Sequence, residues 1–304
     1  MNPFRRSKQA RFSGSLLTID SLGFVGSYAR SSDGAYAVGW DSESGVVVLC
    51  QGKSLLASGR GRYPLQGAVA DCGTYALVFK GRGESASETV RVFNKSGTPI
   101  VTARFATNVY TLSLSSSGSF LACQLCSGDI ALLSTADGST VWEVPTNPAG
   151  RHRELAEGLE IDEQNGWVAG RLGTGGTPFR INMAGEHLDA RAIADGLLED
   201  ARRSPNGLAL FYLVRERLDQ GEACSLEPAV EQLVELLDES LRIGFEGYPE
   251  FEAKAHRAIG EVHERMGQLA EAVRSYETAL EKDPKVGIQR RMASLRKRLE
   301  DTST

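Results

Sequence analysis

The chain has 304 residues, of which 41% are hydrophobic and 24% are charged, and its formal net charge is -5 at pH 7. This length accommodates two ordinary domains, and the mild negative charge excludes the global basic field that drives sequence-independent binding of nucleic acid. No apolar stretch approaches the ~18 residues that span a bilayer, so we expect a cytoplasmic protein without membrane association.

The first twelve residues are basic. They carry Arg5, Arg6, Lys8 and Arg11, with no acidic residue before Asp20. No apolar segment with the length of a signal-peptide core follows them. We expect residues 1–12 to form a disordered, solvated tail. An electrostatic arm for an acidic partner is the alternative interpretation.

A repeat of four units follows, and each unit begins with a polar turn, a glycine, an aromatic residue and small apolar residues. The four starts lie at residues 32–38, 71–77, 116–122 and 164–169. Their turn glycines are Gly34, Gly73, Gly118 and Gly166, which are 39, 45 and 48 residues apart. A second turn glycine falls in each unit at Gly52, Gly97, Gly138 and Gly185, between apolar runs. This period is close to that of a four-stranded propeller blade.

The aromatic residues that open the four units occupy equivalent positions, and we expect them to pack between neighbouring units. They are Tyr36, Tyr75, Phe120 and Trp167. The segment 130–143, IALLSTADGSTVWE, resembles the hairpin and tryptophan of WD-repeat and quinoprotein-type β-propellers. The resemblance covers about residues 14–190 and implies a four-unit β-propeller-like domain, which we place at residues 13–195.

Four blades are few for a closed propeller, and the sequence leaves three arrangements open. The first is a closed ring of four in which residues 15–19 complete the last blade. The second is a partial propeller capped by the helical region, and the third is an arc completed by a second chain. The last strand of the fourth unit is expected at residues 187–193, where the apolar run is weaker than in the other units.

The five cysteines are Cys50, Cys72, Cys123, Cys126 and Cys224. Their odd number argues against a disulfide framework. Cys123 and Cys126 form a single CxxC on a predicted strand, without the second ligand pair that a structural zinc site requires. We expect buried free thiols.

From residue 204 the apolar residues recur at helical spacing. A first helix is predicted from Leu208 to near Gly221 and a second from about Pro228 to near Gly244, and the pair is interpreted as a divergent repeat. Residues 247–249, Gly-Tyr-Pro, then interrupt the chain. We assign residues 200–304 to a helical domain.

Residues 253–286 carry the most specific signal in the chain. The 34-residue tetratricopeptide pattern calls for large, small, aromatic and proline residues at fixed places. The chain supplies Ile259, Gly260, His263, Ala272, Tyr276, Ala279 and Pro284, with Gly267 at the turn between two helices. Small residues are needed where the helices approach, and proline where the second one stops. The segment resembles a variant tetratricopeptide repeat, with His256 and His263 at positions usually filled by aromatic residues.

The resemblance implies a groove lined by exposed positions of the first helix of the repeat, which are Lys254, Arg257, Glu261, Glu264 and Arg265. A last helix with Ile288, Met292, Leu295 and Leu299 on one face is expected to cap the array. Its basic residues are Arg290, Arg291, Arg296, Lys297 and Arg298. They form a solvated face or, alternatively, a docking site for an acidic partner.

No enzyme signature is complete, and the sequence nominates no nucleophile or general base. We expect no catalytic, cofactor or metal site; the two histidines are interpreted as packing residues. The leading hypothesis is a non-enzymatic scaffold or adaptor that binds partner proteins through its helices and propeller-like surface, with self-association left open. The alternatives are a small-ligand binder or enzyme that uses the propeller channel, and an accessory nucleic-acid-binding subunit, which the charge disfavours.

Overall fold

A computed structural model describes residues 9–81, 88–147, 155–172, 176–220 and 230–302. They form two compact units, one of β-sheets that ends at Asp189 and one of helices that begins at Ala190. Among the described residues no helix is long and apolar enough to cross a membrane. Four antiparallel sheets followed by helices confirm the predicted order of β then α.

The first sheet has six antiparallel strands in chain order. They are β1 (Ala10–Ser13), β2 (Leu16–Ile19), β3 (Phe24–Arg30), β4 (Tyr36–Trp40), β5 (Val46–Gln51) and β6 (Ser54–Arg60). The last three are the strands of the first predicted repeat unit, and β3 precedes the turn that opens this unit. The hairpin β1–β2 is an addition that the repeat pattern does not contain.

The second and third sheets have four antiparallel strands each. They are β7 (Pro64–Val69), β8 (Tyr75–Phe79), β9 (Thr89–Phe93) and β10 (Pro99–Arg104), then β11 (Val109–Leu114), β12 (Phe120–Leu125), β13 (Asp129–Ser134) and β14 (Thr140–Pro145). The fourth sheet has three strands, β15 (Ala156–Asp162), β16 (Trp167–Leu172) and β17 (Thr177–Asn182). An isolated bridge between Ile181 and His187 stands where its fourth strand would be.

The predicted repeat governs this architecture. The strands β4, β8, β12 and β16 begin at the four predicted aromatic residues, and all eight turn glycines have positive φ. Glycine adopts this conformation without the steric cost that a Cβ imposes. At Gly138 there is also no space, because a Cβ would lie 2.8 Å from Cγ1 of Val101 in the neighbouring sheet.

The sheets contact each other through their inner strands, in the manner of propeller blades. β7 packs against β3 and β4, β11 against β7 and β8, and β15 against β11 and β12. Acidic side chains link successive first turns. Asp71 accepts hydrogen bonds from Ser32 Oγ at 2.7 Å and from the amide nitrogen of Asp33 at 3.0 Å. Glu163 likewise accepts from Ser117 Oγ at 2.6 Å and from its amide nitrogen at 3.1 Å.

The hairpin β1–β2 closes one end of the series of sheets. β2 pairs with β3, and the amide nitrogen of Ala10 donates to the carbonyl of Lys53 at 2.8 Å. Ala10, Leu17, Ile19, Phe24, Val48 and Cys50 form the buried cluster beneath the hairpin. The arrangement in which residues 15–19 complete the last blade, one of the three left open, is therefore wrong. The expectation of a disordered tail over residues 1–12 is wrong for residues 10–12, because Ala10–Ser13 is a strand. Residues 1–8 lie outside the described part of the chain.

The fourth sheet ends the series differently. Its buried face carries apolar side chains such as Ile161, Val168 and Phe179, whereas exposed charged side chains occupy the other face. These are Glu157, Glu160, Arg171 and Arg180. A charged face does not gain free energy by being covered with apolar surface. The four described sheets thus end in a covering hairpin on one side and a polar face on the other.

The described residues of the helical unit form six helices. They are α1 (Ala190–Arg203), α2 (Leu208–Gln220), α3 (Val230–Ile243), α4 (Glu250–Arg265), α5 (Leu269–Lys282) and α6 (Gln289–Thr302). The helices predicted from Leu208 onward are confirmed; Gly221 and Pro228, their expected inner boundaries, lie outside the described residues. The strand expected at residues 187–193 is wrong. Ile193, Leu197 and Ala201 recur every four residues on α1 and are buried.

Candidate functional site

The hairpin of α4 and α5 is the centre of the candidate site. Tyr276 of α5 is fully buried and lies across Gly260 of α4, where a Cβ would be only 2.4 Å from the tyrosine Cε1. Ala272 and Ala279 are also fully buried. Gly267, with φ +74°, forms the turn that the sequence predicted. The small residues therefore stand where the two helices approach most closely.

The five predicted groove residues are not uniformly exposed. Lys254 and Arg265 are exposed, Arg257 and Glu264 are half-buried, and Glu261 is only 8% exposed. The expectation of five exposed side chains is thus wrong for Glu261 and overstated for two others. The physical reason is that α2 and α6 supply charged partners to this face of α4.

Glu261 accepts hydrogen bonds from two arginines. The Arg257 Nε lies 2.9 Å from one carboxylate oxygen, and Arg215 of α2 donates to the other. Arg291 of α6 adds a third positive charge 3.8 Å away. Burial alone raises the pKa of the Glu261 carboxyl, but the bonds and charges of Arg257 and Arg215 outweigh it and hold the pKa below its ordinary value. The carboxylate is therefore ionised and holds α2, α4 and α6 together.

A second link joins α6 to the repeat. Arg291 Nε donates to Glu264 Oε2 at 2.7 Å, and the Tyr276 hydroxyl donates to the same oxygen at 3.1 Å. Arg257 also donates to the carbonyl of Val286 at 3.0 Å, just before α6. Arg265 donates to the carbonyl of Leu218 at the end of α2. Four of the five groove candidates, all but Lys254, thus make hydrogen bonds or ion pairs within the helical unit.

The basic residues of α6 divide into two groups. Arg291 and Arg296 are held in ion pairs with Glu264 and Glu277. Arg290 and Lys297, seven residues apart and therefore on one face of the helix, are exposed. Neither makes a hydrogen bond or ion pair with any residue that the structure describes. Arg298, the last basic candidate, is exposed and has an interaction of its own.

An aromatic cluster that the sequence did not predict lies beside α4. Phe211 of α2 meets Phe251 at 5.2 Å and Phe245 at 6.3 Å between ring centroids, in edge-to-face geometry. Lys254 Nζ stands 3.9 Å from the centroid of the Phe251 ring, close enough for a cation–π interaction. The sequence feature that could have indicated this cluster is the pair of aromatic residues, Phe245 and Phe251, on either side of the break at residues 247–249. The tetratricopeptide pattern does not include these two positions.

The histidines and cysteines have ordinary structural surroundings. His263 Nδ1 lies 2.7 Å from Gln268 Oε1, and burial lowers the pKa of half-buried His256. Cys123 is buried, which raises its thiol pKa, whereas Cys126 is half-buried and Cys72 is exposed. Cys224 lies outside the described residues. Within the described ranges no three histidine, cysteine or acidic side chains cluster as metal ligands do.

One shallow cavity of about 220 Å³ lies on the first sheet. Phe12, Arg30, Tyr36 and Lys53 line it, and the Arg30 guanidinium stacks 4.2 Å from the centroid of Phe12. Its other lining residues are Gly34, Ala35, Ala37 and Gly52. Phe12 belongs to β1, so the hairpin β1–β2 forms part of the cavity wall.

A known protein family matches the hairpin of α4 and α5. Residues 253–286 match the tetratricopeptide repeat. The match has the boundaries that the sequence predicted and includes most of α4, all of α5 and the Gly260–Tyr276 contact. Proteins with this repeat and WD-like propeller proteins generally mediate protein interactions and are generally non-enzymatic.

Similar solved structures include two propeller proteins. BamB from Moraxella catarrhalis is 17% identical over 53% of this chain and 46% of its own, with a TM-score of 0.40. Sqt1 from Saccharomyces cerevisiae is 15% identical over 56% of this chain and 51% of its own, with a TM-score of 0.40. The chain thus matches about half the length of each. No curated protein matches it.

Proposed function

We propose that this protein is a non-enzymatic adaptor that binds an acidic segment of a partner protein on its helical unit. The observation that carries the proposal is the pair Arg290 and Lys297. Both cations are exposed on one face of α6, and neither has a partner in the described part of the chain. Two free cations on a helix fixed to the repeat attract acidic side chains without first having to break internal ion pairs.

The groove candidates have two different roles in this proposal. Lys254 and Arg265 are exposed and extend the positive surface of the helical unit. Arg257, Glu261 and Glu264 instead fix α6 against α4 through ion pairs and hydrogen bonds. Their contribution to binding is therefore indirect, since they hold the exposed cations at fixed positions.

The β unit supplies a second surface, as expected of an adaptor that joins two partners. The proposal includes a cytoplasmic location, which the four free cysteines among the described residues support, because thiols stay reduced there. Self-association and nucleic-acid binding are the competing uses of the same cations. Both are distinguished by the experiment that follows.

The test compares charge reversal at the proposed site with charge reversal elsewhere. The full-length protein and its Arg290→Glu/Lys297→Glu variant are used to affinity-purify partners from the native host at low and moderate salt. We expect recovery of the main protein partner to fall at least about tenfold in the variant, and also with rising salt. Arg274→Glu, at an exposed arginine of α5 paired with Glu271, is the matched control and retains the partner.

Three results contradict the proposal. The first is an unchanged partner set in the double variant, and the second is recovery of this chain alone. The third is retention that nuclease treatment abolishes, which indicates nucleic acid. A thermal-shift screen with metals, nucleotides and sugars addresses the enzyme alternative, because a ligand that binds the native state raises its stability.

A further inference from the structure

The cavity beside the hairpin β1–β2 places two cations around one small space. It is lined by Phe12 of β1, by Arg30 at the end of β3 and by Lys53 in the turn between β5 and β6. Its volume of about 220 Å³ is smaller than the roughly 300–1,000 Å³ of pockets that enclose a drug-sized molecule. The cavity therefore accommodates one chemical group of a ligand.

Aromatic rings hold the Arg30 guanidinium in place without neutralising its charge. Its central carbon lies 4.2 Å from the ring centroid of Phe12 and 5.6 Å from that of Tyr28. The two rings contact each other edge to face at 5.1 Å, and the Tyr28 hydroxyl donates to the carbonyl of Gly14 at 3.0 Å. The N–H groups of a guanidinium lie in its plane, so stacking on a ring leaves them available to an acceptor.

Both cations lack an anionic partner in the described part of the chain. The side chains of Arg30 and Lys53 are exposed, and neither makes a hydrogen bond or ion pair with a described residue. None of the eight residues that line the cavity is acidic. The closest acidic residue in sequence is Asp33, whose carboxylate accepts from Ser31 Oγ at 2.6 Å and from the amide nitrogen of Ala35 at 2.8 Å. The cavity thus has two positive charges available to a ligand.

The start of the chain adds positive charge at this end of the first sheet. Gln9 forms an isolated bridge with Ser54, the residue after Lys53. The eight residues before Gln9 contain no acidic residue and three cations, which are Arg5, Arg6 and Lys8. They cannot supply the negative charge that the cavity lacks. A cleft lined by charge of one sign focuses the electric field and raises the local concentration of counter-ions, which are anions here.

The two turns that flank the cavity are open and are tied to each other. Gly34 and Gly52 line it with φ of +72° and +54°, and a Cβ at either position would meet no atom within 4 Å. The amide nitrogen of Gly52 donates to the carbonyl of Ala35 at 2.8 Å and so joins the turns. A site formed before the ligand arrives loses less conformational entropy on binding.

We propose that this cavity binds a phosphate monoester group, with the Arg30 guanidinium donating to two phosphate oxygens and Lys53 supplying the second positive charge. A phosphate monoester carries a charge of about -1.5 to -2 at pH 7 and three acceptor oxygens, whereas a carboxylate carries one charge. The cavity accommodates the phosphate and leaves its carrier outside, so a small phosphate ester and a phosphorylated side chain share the required chemistry. The site lies in the β unit and goes beyond the proposed adaptor surface on α6.

The test titrates four small ligands into the full-length protein and follows binding by saturation-transfer NMR. Glycerol 3-phosphate and the phosphoserine derivative N-acetyl-O-phosphoserinamide represent the two carriers. We expect both to bind with a Kd of about 1 mM or tighter. The corresponding aspartic acid derivative, with one charge, is expected to bind at least about fivefold more weakly, and uncharged N-acetylserinamide is expected to give no signal.

Three variants locate the binding. Arg30→Gln/Lys53→Gln is expected to weaken both phosphate esters at least about tenfold. Arg30→Lys keeps the charge but loses the planar fork, and we expect it to bind about threefold more weakly than the wild type. Arg60→Gln, at an exposed cation on the far end of β6 without a described partner, is the matched control and keeps the affinity within about twofold. Circular dichroism of every variant checks folding.

Binding of both esters supports the shared phosphate chemistry, and a preference for one of them identifies the carrier. The proposal is overturned if neither ester binds the wild type, or if the aspartic acid derivative binds as tightly as the phosphoserine derivative. It is equally overturned if the double variant keeps the wild-type affinity, or if Arg60→Gln weakens binding as much as the double variant does. None of these results depends on α6, so the site fails or stands separately from the proposed adaptor function.

Discussion

Replacing Gly260 with alanine tests the packing at the centre of the repeat. The added Cβ would lie 2.4 Å from Tyr276 Cε1 and 2.5 Å from Cδ1, distances that require a shift of the ring or of the helix. Tyr276 is fully buried and its hydroxyl is bound to Glu264, so the ring has little freedom to move. Overpacking of a core costs about 1–3 kcal/mol, while alanine in a helix gains about 1 kcal/mol over glycine.

The net expectation is destabilisation of the helical unit by up to about 2 kcal/mol. Urea unfolding of the full-length protein, followed by circular dichroism at 222 nm, measures it as a lower midpoint. The control is a Tyr276→Val background, which lacks the ring. There Gly260→Ala is expected to become stabilising, by about 0.5–1 kcal/mol. A stabilising effect of Gly260→Ala in the wild-type background refutes the packing argument.

Three other outcomes follow from the structure. Glu261→Gln destabilises the protein by about 2 kcal/mol at pH 7. Because the folded-state pKa of Glu261 is lowered, the stability difference between wild type and variant is complete above about pH 5 and disappears as the pH falls through that pKa. Urea titrations at a series of pH values measure this difference. Gly138→Ala, at φ +76° and with a valine methyl 2.8 Å from the added Cβ, lowers the melting temperature more than Gly52→Ala, at φ +54° with open space around it. The Cys123 thiol, whose pKa burial raises, reacts with a thiol reagent only on unfolding, whereas exposed Cys72 reacts at once.

The sequence predicted the repeat well because repeated structure leaves a repeated local constraint. Turn glycines such as Gly34 and Gly138 are required by positive φ, and Gly260 is required by the tyrosine that lies across it. These constraints act on one residue or between residues that are close in sequence, so they produce a fixed spacing that a single sequence shows. The boundaries of the tetratricopeptide repeat at residues 253–286 follow from the same kind of constraint.

The elements that the sequence did not predict depend on distant partners. Ala10–Ser13 is a strand because β2 and the segment at Lys53 supply its hydrogen bonds. α1 begins at Ala190 and has only three buried apolar residues along fourteen positions, which makes its helical pattern weak. On the sequence alone, the apolar run at residues 187–193 is therefore interpreted as a strand. Such elements are determined by the surface that they cover.

The candidate site shows the same limit. The helical pattern put Glu261 on the same face of α4 as Arg257 and Glu264, but it wrongly predicted that Glu261 is exposed and did not indicate the arginines that approach it from α2 and α6. Arg215 lies 46 residues away along the chain and Arg291 lies 30 residues away. The alternation of charge along a single helix carries no information about such partners. The exposure of Arg290 and Lys297 could be expected from their helix face, whereas their lack of partners among the described residues could not.

The most direct test of the adaptor function is a calorimetric titration of the full-length protein with the main partner recovered from the native host. We predict that Arg290→Glu/Lys297→Glu weakens binding at least about tenfold, that Arg274→Glu leaves it unchanged, and that wild-type affinity falls with added salt. Equal affinity of the wild type and the double variant at low salt would contradict the assignment of partner binding to α6.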